Sequence, residues 1–274
     1  MLLAFAAGPA AEGRQTQAPS AAPQLPKPTA SQTTAVKPVS TAERAHNSIA
    51  ALPALPFNNT TVVLDPSHGG ADNGSRINDN IVEKDVTLAL AFRLRSLLAA
   101  RGFNVVLTRD NDAAKSPNPP FAALTLDDRA GVANHERAAA CLLLHATSSG
   151  TGVHLYSSEL EPALGEITPQ PWLTGQAAWL PQSQQLTSRI NDALLRSRVP
   201  VVSGAASVRP LDSLTCPALV VELAPKTDDA STINDEAYQT RIAQAITGAL
   251  VFWKETVRAP THLSPAPAPT EALP

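Results

Sequence analysis

The residues able to do chemistry in this chain stand where apolar runs end. Asp65-Pro66-Ser67-His68-Gly69-Gly70 follows the strand-like run 61–65, and two glycines after a histidine let the backbone turn sharply and approach closely. His68 is therefore displayed on a loop, either as a surface residue or as a ligand. His145 ends Cys141-Leu142-Leu143-Leu144, and Glu222 ends Leu219-Val220-Val221. Glu83 falls in the first turn of the helical pattern after the His68 loop. Open α/β sheets bind ligands beyond the carboxyl ends of their strands, so His68, His145 and Glu222 would share one edge, and Glu83 could point back to it. His, Glu and His with an open fourth position is the donor set of a catalytic zinc, and a further glutamate can activate water beside it. Each residue also has an ordinary alternative. Asn80-x-x-Glu83 matches a helix capping box, where the dipole favours a carboxylate. Glu222 could close a salt bridge at a strand end, and His145 could be a hydrogen-bonded core histidine.

Other chemistries lose their support on inspection. The chain contains no G-x-S-x-G, S-x-x-K, G-x-G-x-x-G, C-x-x-C or H-E-x-x-H, which removes the common serine-hydrolase and nucleotide-binding readings. Net charge is −3 over 274 residues, so the basic footprint of a nucleic-acid binder is missing. No apolar stretch approaches the roughly 20 residues of a membrane span. With only Cys141 and Cys216, neither a disulfide framework nor a cysteine zinc site is expected. Any metal must be held by histidine and carboxylate.

These groups need a scaffold, and apolar strand-like runs alternating with longer helical patterns predict one. Candidate strands are 61–65, 104–108, 141–145, 152–156, 199–202 and 218–222. The first helix is expected after Asn80 through Ala100, with Val86, Leu90, Leu94, Leu97 and Leu98 on one face and Gly102 past its end. A second begins near Thr125, where Thr125 and Asp128 fit a capping box; a third covers 184–196 and a fourth 235–253. The expected fold is α/β, a mostly parallel twisted sheet of about six strands with helices on both faces. The 25 prolines against 13 glycines cluster outside it. Residues 1–56 read as a signal-like start (MLLAFAA) and a disordered Pro/Ala-rich tether, 57–258 as the catalytic domain, and 259–274 as a disordered Pro-rich tail.

Four ordered blocks resemble the zinc-dependent N-acetylmuramoyl-L-alanine amidases of the Amidase_3 type. VVLDPSHGG (62–70) is similar to the family's first histidine loop, and VEKDVTLALAFRLRSLLAARGFNVVLTRD (82–110) to its glutamate, helix and second strand. LDDRAGVANHERAAACLLLHA (126–146) is similar to the helix and strand carrying the second histidine, and RPLDSLTCPALVVEL (209–223) to the strand ending in the catalytic glutamate. The resemblance implies Zn2+ on His68, Glu83 and His145, with Glu222 as general base and then general acid. Its substrate would be the amide between N-acetylmuramic acid and L-alanine in peptidoglycan, which places the protein outside the cytoplasm, in the periplasm or cell envelope. An activator protein is compatible with this reading, and the sequence identifies none. Departures are Ser67 for the family's glycine, Thr147 for its asparagine, and Ala-Pro-Lys-Thr after the segment's Leu223. They bear on substrate contacts and keep open a non-catalytic wall-binding or regulatory relative; a zinc peptidase acting within the stem peptide also stays open, because the same metal chemistry hydrolyses any suitably placed amide. Arg129 matches the family's helix arginine and is expected to brace the loop or an acidic group. His135 and His154 are expected away from the ligand positions, and Cys141 and Cys216 read as buried small hydrophobes, with a disulfide between them left open by the sequence.

Overall fold

A computed structural model of the chain describes residues 58–112, 115–117, 120–162 and 172–257. The signal-like start, the tether and the Pro-rich tail lie outside the described residues. Strand β1 (Asn58–Pro66) leads through the glycine loop into helix α1 (Glu83–Ala99), and β2 (Asn104–Leu107) follows. A small antiparallel hairpin, β3 (Lys115–Pro117) and β4 (Pro120–Ala123), precedes α2 (Leu126–Glu136) and β5 (Ala138–Ala146). The chain continues through β6 (Val153–Ser158), α3 (Leu180–Arg196), β7 (Val201–Ala206), β8 (Ala218–Leu223) and α4 (Glu236–Thr256). No helix among the described residues is long and apolar enough to cross a membrane.

The main sheet has the order β2-β1-β5-β8-β6-β7. Every pair in it is parallel except β6–β8, so β6 and β7 run against the other four strands. The sequence pattern states which residues face a core but carries no strand direction, and this reversal matters below. Val86, Leu90, Leu94 and Leu98 recur every four residues, one face of a helix, and α1 buries them on the same side of the sheet as Leu186 and Ile190 of α3 and Ile242, Ile246 and Leu250 of α4. Burying each such side chain fully contributes roughly 1.5–3 kcal/mol. Trp253 closes this layer and satisfies its indole by donating to Ala139 O at 2.7 Å. The other face is thinner: Ala130 and Ala133 of α2 cover Val63, Leu143, Ala218 and Val220.

Local chemistry places the element ends. Thr125 and Asp128 make the reciprocal capping box that starts α2. Helix α3 begins at Leu180, before the expected 184, because Pro181 in its first turn has no amide that needs a partner there. The strand expected at 199–202 is shifted to Val201–Ala206, since the Val199 amide donates to Leu194 O at 3.0 Å and belongs to the end of α3. Cys141 and Cys216 are buried, as expected of small hydrophobes, but they are also bonded to each other across 75 residues. The pairing of β5 with β8 brings them together, and only pairing could reveal it.

Candidate metal centre

The loop after β1 is held by two arginines before any ligand is considered. Arg129 of α2 donates from Nη1 to Asp65 Oδ1 (2.6 Å) and Pro66 O (2.9 Å), and from Nη2 to His68 O (2.6 Å). Arg109, just past β2, donates to Pro66 O (2.9 Å), Ser67 O (3.2 Å) and Lys84 O (2.7 Å). Thr87 Oγ1 adds a bond to Ser67 O at 3.1 Å. The carbonyls of residues 66, 67 and 68 are thus all engaged, and the bracing overcomes the left-handed backbone of His68, φ 63°. Arg129 thus bonds both the loop carbonyls and the acidic Asp65. Arg109 was missed, although Thr-Arg-Asp closes the second quoted block.

Glu83 does not cap its helix. Val82 precedes α1 without a side-chain cap, and the Asn80 amide turns instead to Asn78 Oδ1 at 2.9 Å. The Glu83 carboxylate, 3% exposed, is directed into the loop and the end of β5. Its Oε2 accepts from the Ser75 amide (2.8 Å) and lies 3.2 Å from His68 Nε2. Its Oε1 accepts from the Ala146 amide (3.1 Å) and lies 2.9 Å from His145 Nδ1. Burial alone would push this carboxyl up; the bonds to His145, His68 and the Ser75 amide outweigh it and hold the group well below the usual carboxylate range. His68 is pushed up to about 8, first by its bond to Glu83, against burial, and further by Asp72, whose Oδ2 lies 2.8 Å from Nδ1.

His68, Glu83 and His145 therefore each offer one donor atom within 4.8 Å of the others. Two imidazoles and a carboxylate held in its charged form suit a divalent transition metal, and the two rings are partly open to solvent. Gly74 makes the closeness possible: a Cβ there would stand 2.5 Å from His68 Cδ2 and 2.8 Å from Glu83 Oε2, and its φ of +66° favours glycine independently. Sequence reasoning passed over Gly74; the signal was a third glycine in Gly69-Gly70-Ala71-Asp72-Asn73-Gly74.

Glu222 lies one strand away from this group. His145 on β5 is its register partner in the parallel β5–β8 pair, and neighbours in register share a face. On its other side Glu222 pairs with His154 of antiparallel β6. His154 stands outside the three-residue cluster, as expected, but not away from the site: its Nδ1 is 2.8 Å from Glu222 Oε2. His135 lies in the last turn of α2 and takes no part in the cluster.

The chain is similar to known proteins over most of its length. The family described as N-acetylmuramoyl-L-alanine amidase matches residues 62–251. The germination-specific N-acetylmuramoyl-L-alanine amidase of Bacillus subtilis is 26% identical over 74% of this chain and 83% of its own length. The probable cell wall amidase LytH of Staphylococcus epidermidis is 30% identical over 73% of this chain, which spans 60% of that protein. The catalytic domain of the amidase CwlV from Bacillus (Paenibacillus) polymyxa var. colistinus shares the fold, with a TM-score of 0.56 at 22% identity over 72% of this chain and 99% of that one.

Proposed function

This chain belongs to the N-acetylmuramoyl-L-alanine amidase family, Amidase_3 type, and is an amidase of that kind; on that premise we propose that it works with zinc held by His68, Glu83 and His145, and with Glu222 as its general base. The observation that supports this is the convergence of two imidazoles and one ionised carboxylate beside a fourth, in-register glutamate. Zinc, when bound, supplies Lewis acidity, lowering the pKa of water and stabilising negative charge on a carbonyl oxygen. The protein's own groups do the rest. Glu222 takes a proton from the attacking water as the new C–O bond forms at the lactyl carbonyl. It then returns that proton to the departing amine of L-alanine as the C–N bond breaks. Arg129 and Arg109 keep His68 in place by holding the loop carbonyls.

The same reading extends to location and organisation. A buried disulfide between Cys141 and Cys216 suits an oxidising compartment, in accord with a substrate outside the cytoplasm, so we place the protein in the cell envelope. Residues 57–258 form the catalytic unit in this proposal, with 1–56 as export signal and tether.

Zinc analysis of the purified chain, combined with mass spectrometry of digested muropeptides, tests the assignment. An amidase releases stem peptides beginning with L-alanine and leaves bare lactyl carboxylates. A zinc peptidase would leave L-alanine on the sugar, and a wall-binding relative would release nothing. Glu222→Gln should retain zinc and lose roughly 10²-fold or more in rate.

A further inference from the structure

The strand reversal brings a third histidine to the reacting edge. In four strands of the sheet the carboxyl ends form that edge, but β6 runs against β8, so its second residue, His154, stands there as well. His154 and Glu222 are register partners, and the imidazole Nδ1 lies 2.8 Å from Glu222 Oε2. A carboxylate has only acceptors, so Nδ1 carries the hydrogen and donates. The ring is 12% exposed, less than the 26% of the glutamate it meets, and so backs the carboxylate from the protein side. Gly150 leaves room for it: a Cβ at Gly150 would lie 3.0 Å from Nε2 and 3.1 Å from Cε1. Among the described residues no hydrogen bond engages Oε1 of Glu222.

We infer that His154 is a positioning residue for the amidase reaction, fixing Glu222 through Oε2 so that Oε1 is presented to water. This rests on the reading of Glu222 as the base. A glutamate at a partly open sheet edge would otherwise share its time among rotamers, and a proton acceptor misplaced by 1 Å can cost on the order of 10²-fold in rate. His154 touches neither the cluster of His68, Glu83 and His145 nor, in this account, the substrate; it acts through Glu222.

The test uses the full chain loaded with zinc and a soluble muropeptide substrate. His154→Leu removes the donor. His154→Asn restores it, because the Asn amide nitrogen occupies the place of Nδ1, whereas His154→Gln carries its nitrogen one bond further, near the place of Nε2. Expected are kcat values lowered about 10- to 10²-fold in His154→Leu and His154→Gln, recovery of most of the rate in His154→Asn, and KM and zinc content unchanged throughout. In the Glu222→Gln background His154→Leu should add little, since the group it positions is already disabled. Wild-type kcat in His154→Leu, or the same full loss in Glu222→Gln as in wild type, overturns the proposal. If His154→Leu does not fold, equal rates in His154→Asn and His154→Gln overturn it instead. Wild-type turnover by Glu222→Gln overturns the reading of the base itself, and that result is read separately from any His154 variant.

Discussion

Ser67 Oγ stands 2.8 Å from His145 Nε2, on the ring nitrogen opposite the one that faces Glu83. Ser67 occupies the position where the family resemblance leads one to expect glycine, and here it supplies a partner that no glycine could. A metal at Nδ1 requires the tautomer with the hydrogen on Nε2, and in that tautomer Nε2–H donates to the Ser67 hydroxyl. Partners of this sort typically govern metal affinity by about 10- to 100-fold. Ser67→Ala and Ser67→Gly should each weaken zinc binding by about tenfold, measured by competition with a chromophoric chelator. Unchanged affinity in both would show the contact to be incidental.

Gly74→Ala should harm the centre more than Ser67→Ala. The added methyl would lie 2.5 Å from His68 Cδ2 and 2.8 Å from Glu83 Oε2, and the neighbours cannot yield without moving two donor atoms. Alanine at positive φ adds roughly 1 kcal/mol or more of strain. Zinc titration and thermal unfolding of the variant check both effects: stoichiometric zinc at wild-type affinity would contradict the steric account.

Metal affinity should rise with pH between about 6.5 and 8. His68 in the metal-free protein is pushed up to about 8, so at neutral pH a proton must leave before the ring can ligate. For one displaced proton the apparent affinity climbs up to tenfold per pH unit below 8 and levels off above it. The stability of the metal-free protein has the opposite sign. The folded pKa lies above the unfolded one, so the His68–Glu83 interaction contributes fully below about 6.5, and its contribution is lost as pH rises through 8. Calorimetric zinc titrations in buffers of different ionisation enthalpy, and denaturant curves of the chelated protein, measure the two. A pH-independent zinc affinity from 6 to 8 would refute the proton competition.

Reduction of the Cys141–Cys216 disulfide should destabilise the domain without removing metal. Closing 75 residues of chain corresponds to roughly 4 kcal/mol in the chain-entropy picture. Both cysteines belong to the core beneath α2, away from the three donor residues. The paired change Cys141→Ala and Cys216→Ala should lower the denaturant midpoint while zinc content stays at its wild-type value. Loss of zinc under native conditions would show coupling between the two.

The proposed tether makes a simple prediction. A nonspecific protease should remove residues 9–56 and leave a fragment beginning near Pro56, because Pro, Ala, Thr, Ser and Gln cannot bury enough surface to offset ordering. Intact-mass measurement after limited digestion reads the boundary. Protection of the N-terminal segment would mean that it folds.

Much of this protein could be read from one dimension because its signals are local. The four-residue recurrence of Val86, Leu90, Leu94 and Leu98 specifies the buried face of α1 whatever packs on it, and Thr125 with Asp128 starts α2 through bonds inside a single turn. The apolar runs before His145 and Glu222 placed both at strand ends for the same reason. The choice between cap and ligand for Glu83 was not local. The Ser75 and Ala146 amides, which approach from a loop and a strand, turn its carboxylate away from the helix end and toward the two histidines.

Strand direction and strand neighbours belong wholly to the tertiary structure. A period-two pattern reads the same in either direction, so nothing in Val153-His154-Leu155-Tyr156 says whether His154 lies at the near or the far edge of the sheet. The antiparallel pairing of β6 with β8 decides it and brings His154 to Glu222, just as β5 beside β8 brings Cys141 to Cys216. Such pairings follow from burying both sheet faces at once, an energy summed over contacts distant in the chain. Sequence therefore determined which side chains had chemistry to offer, and the packing of the whole sheet determined which of them meet.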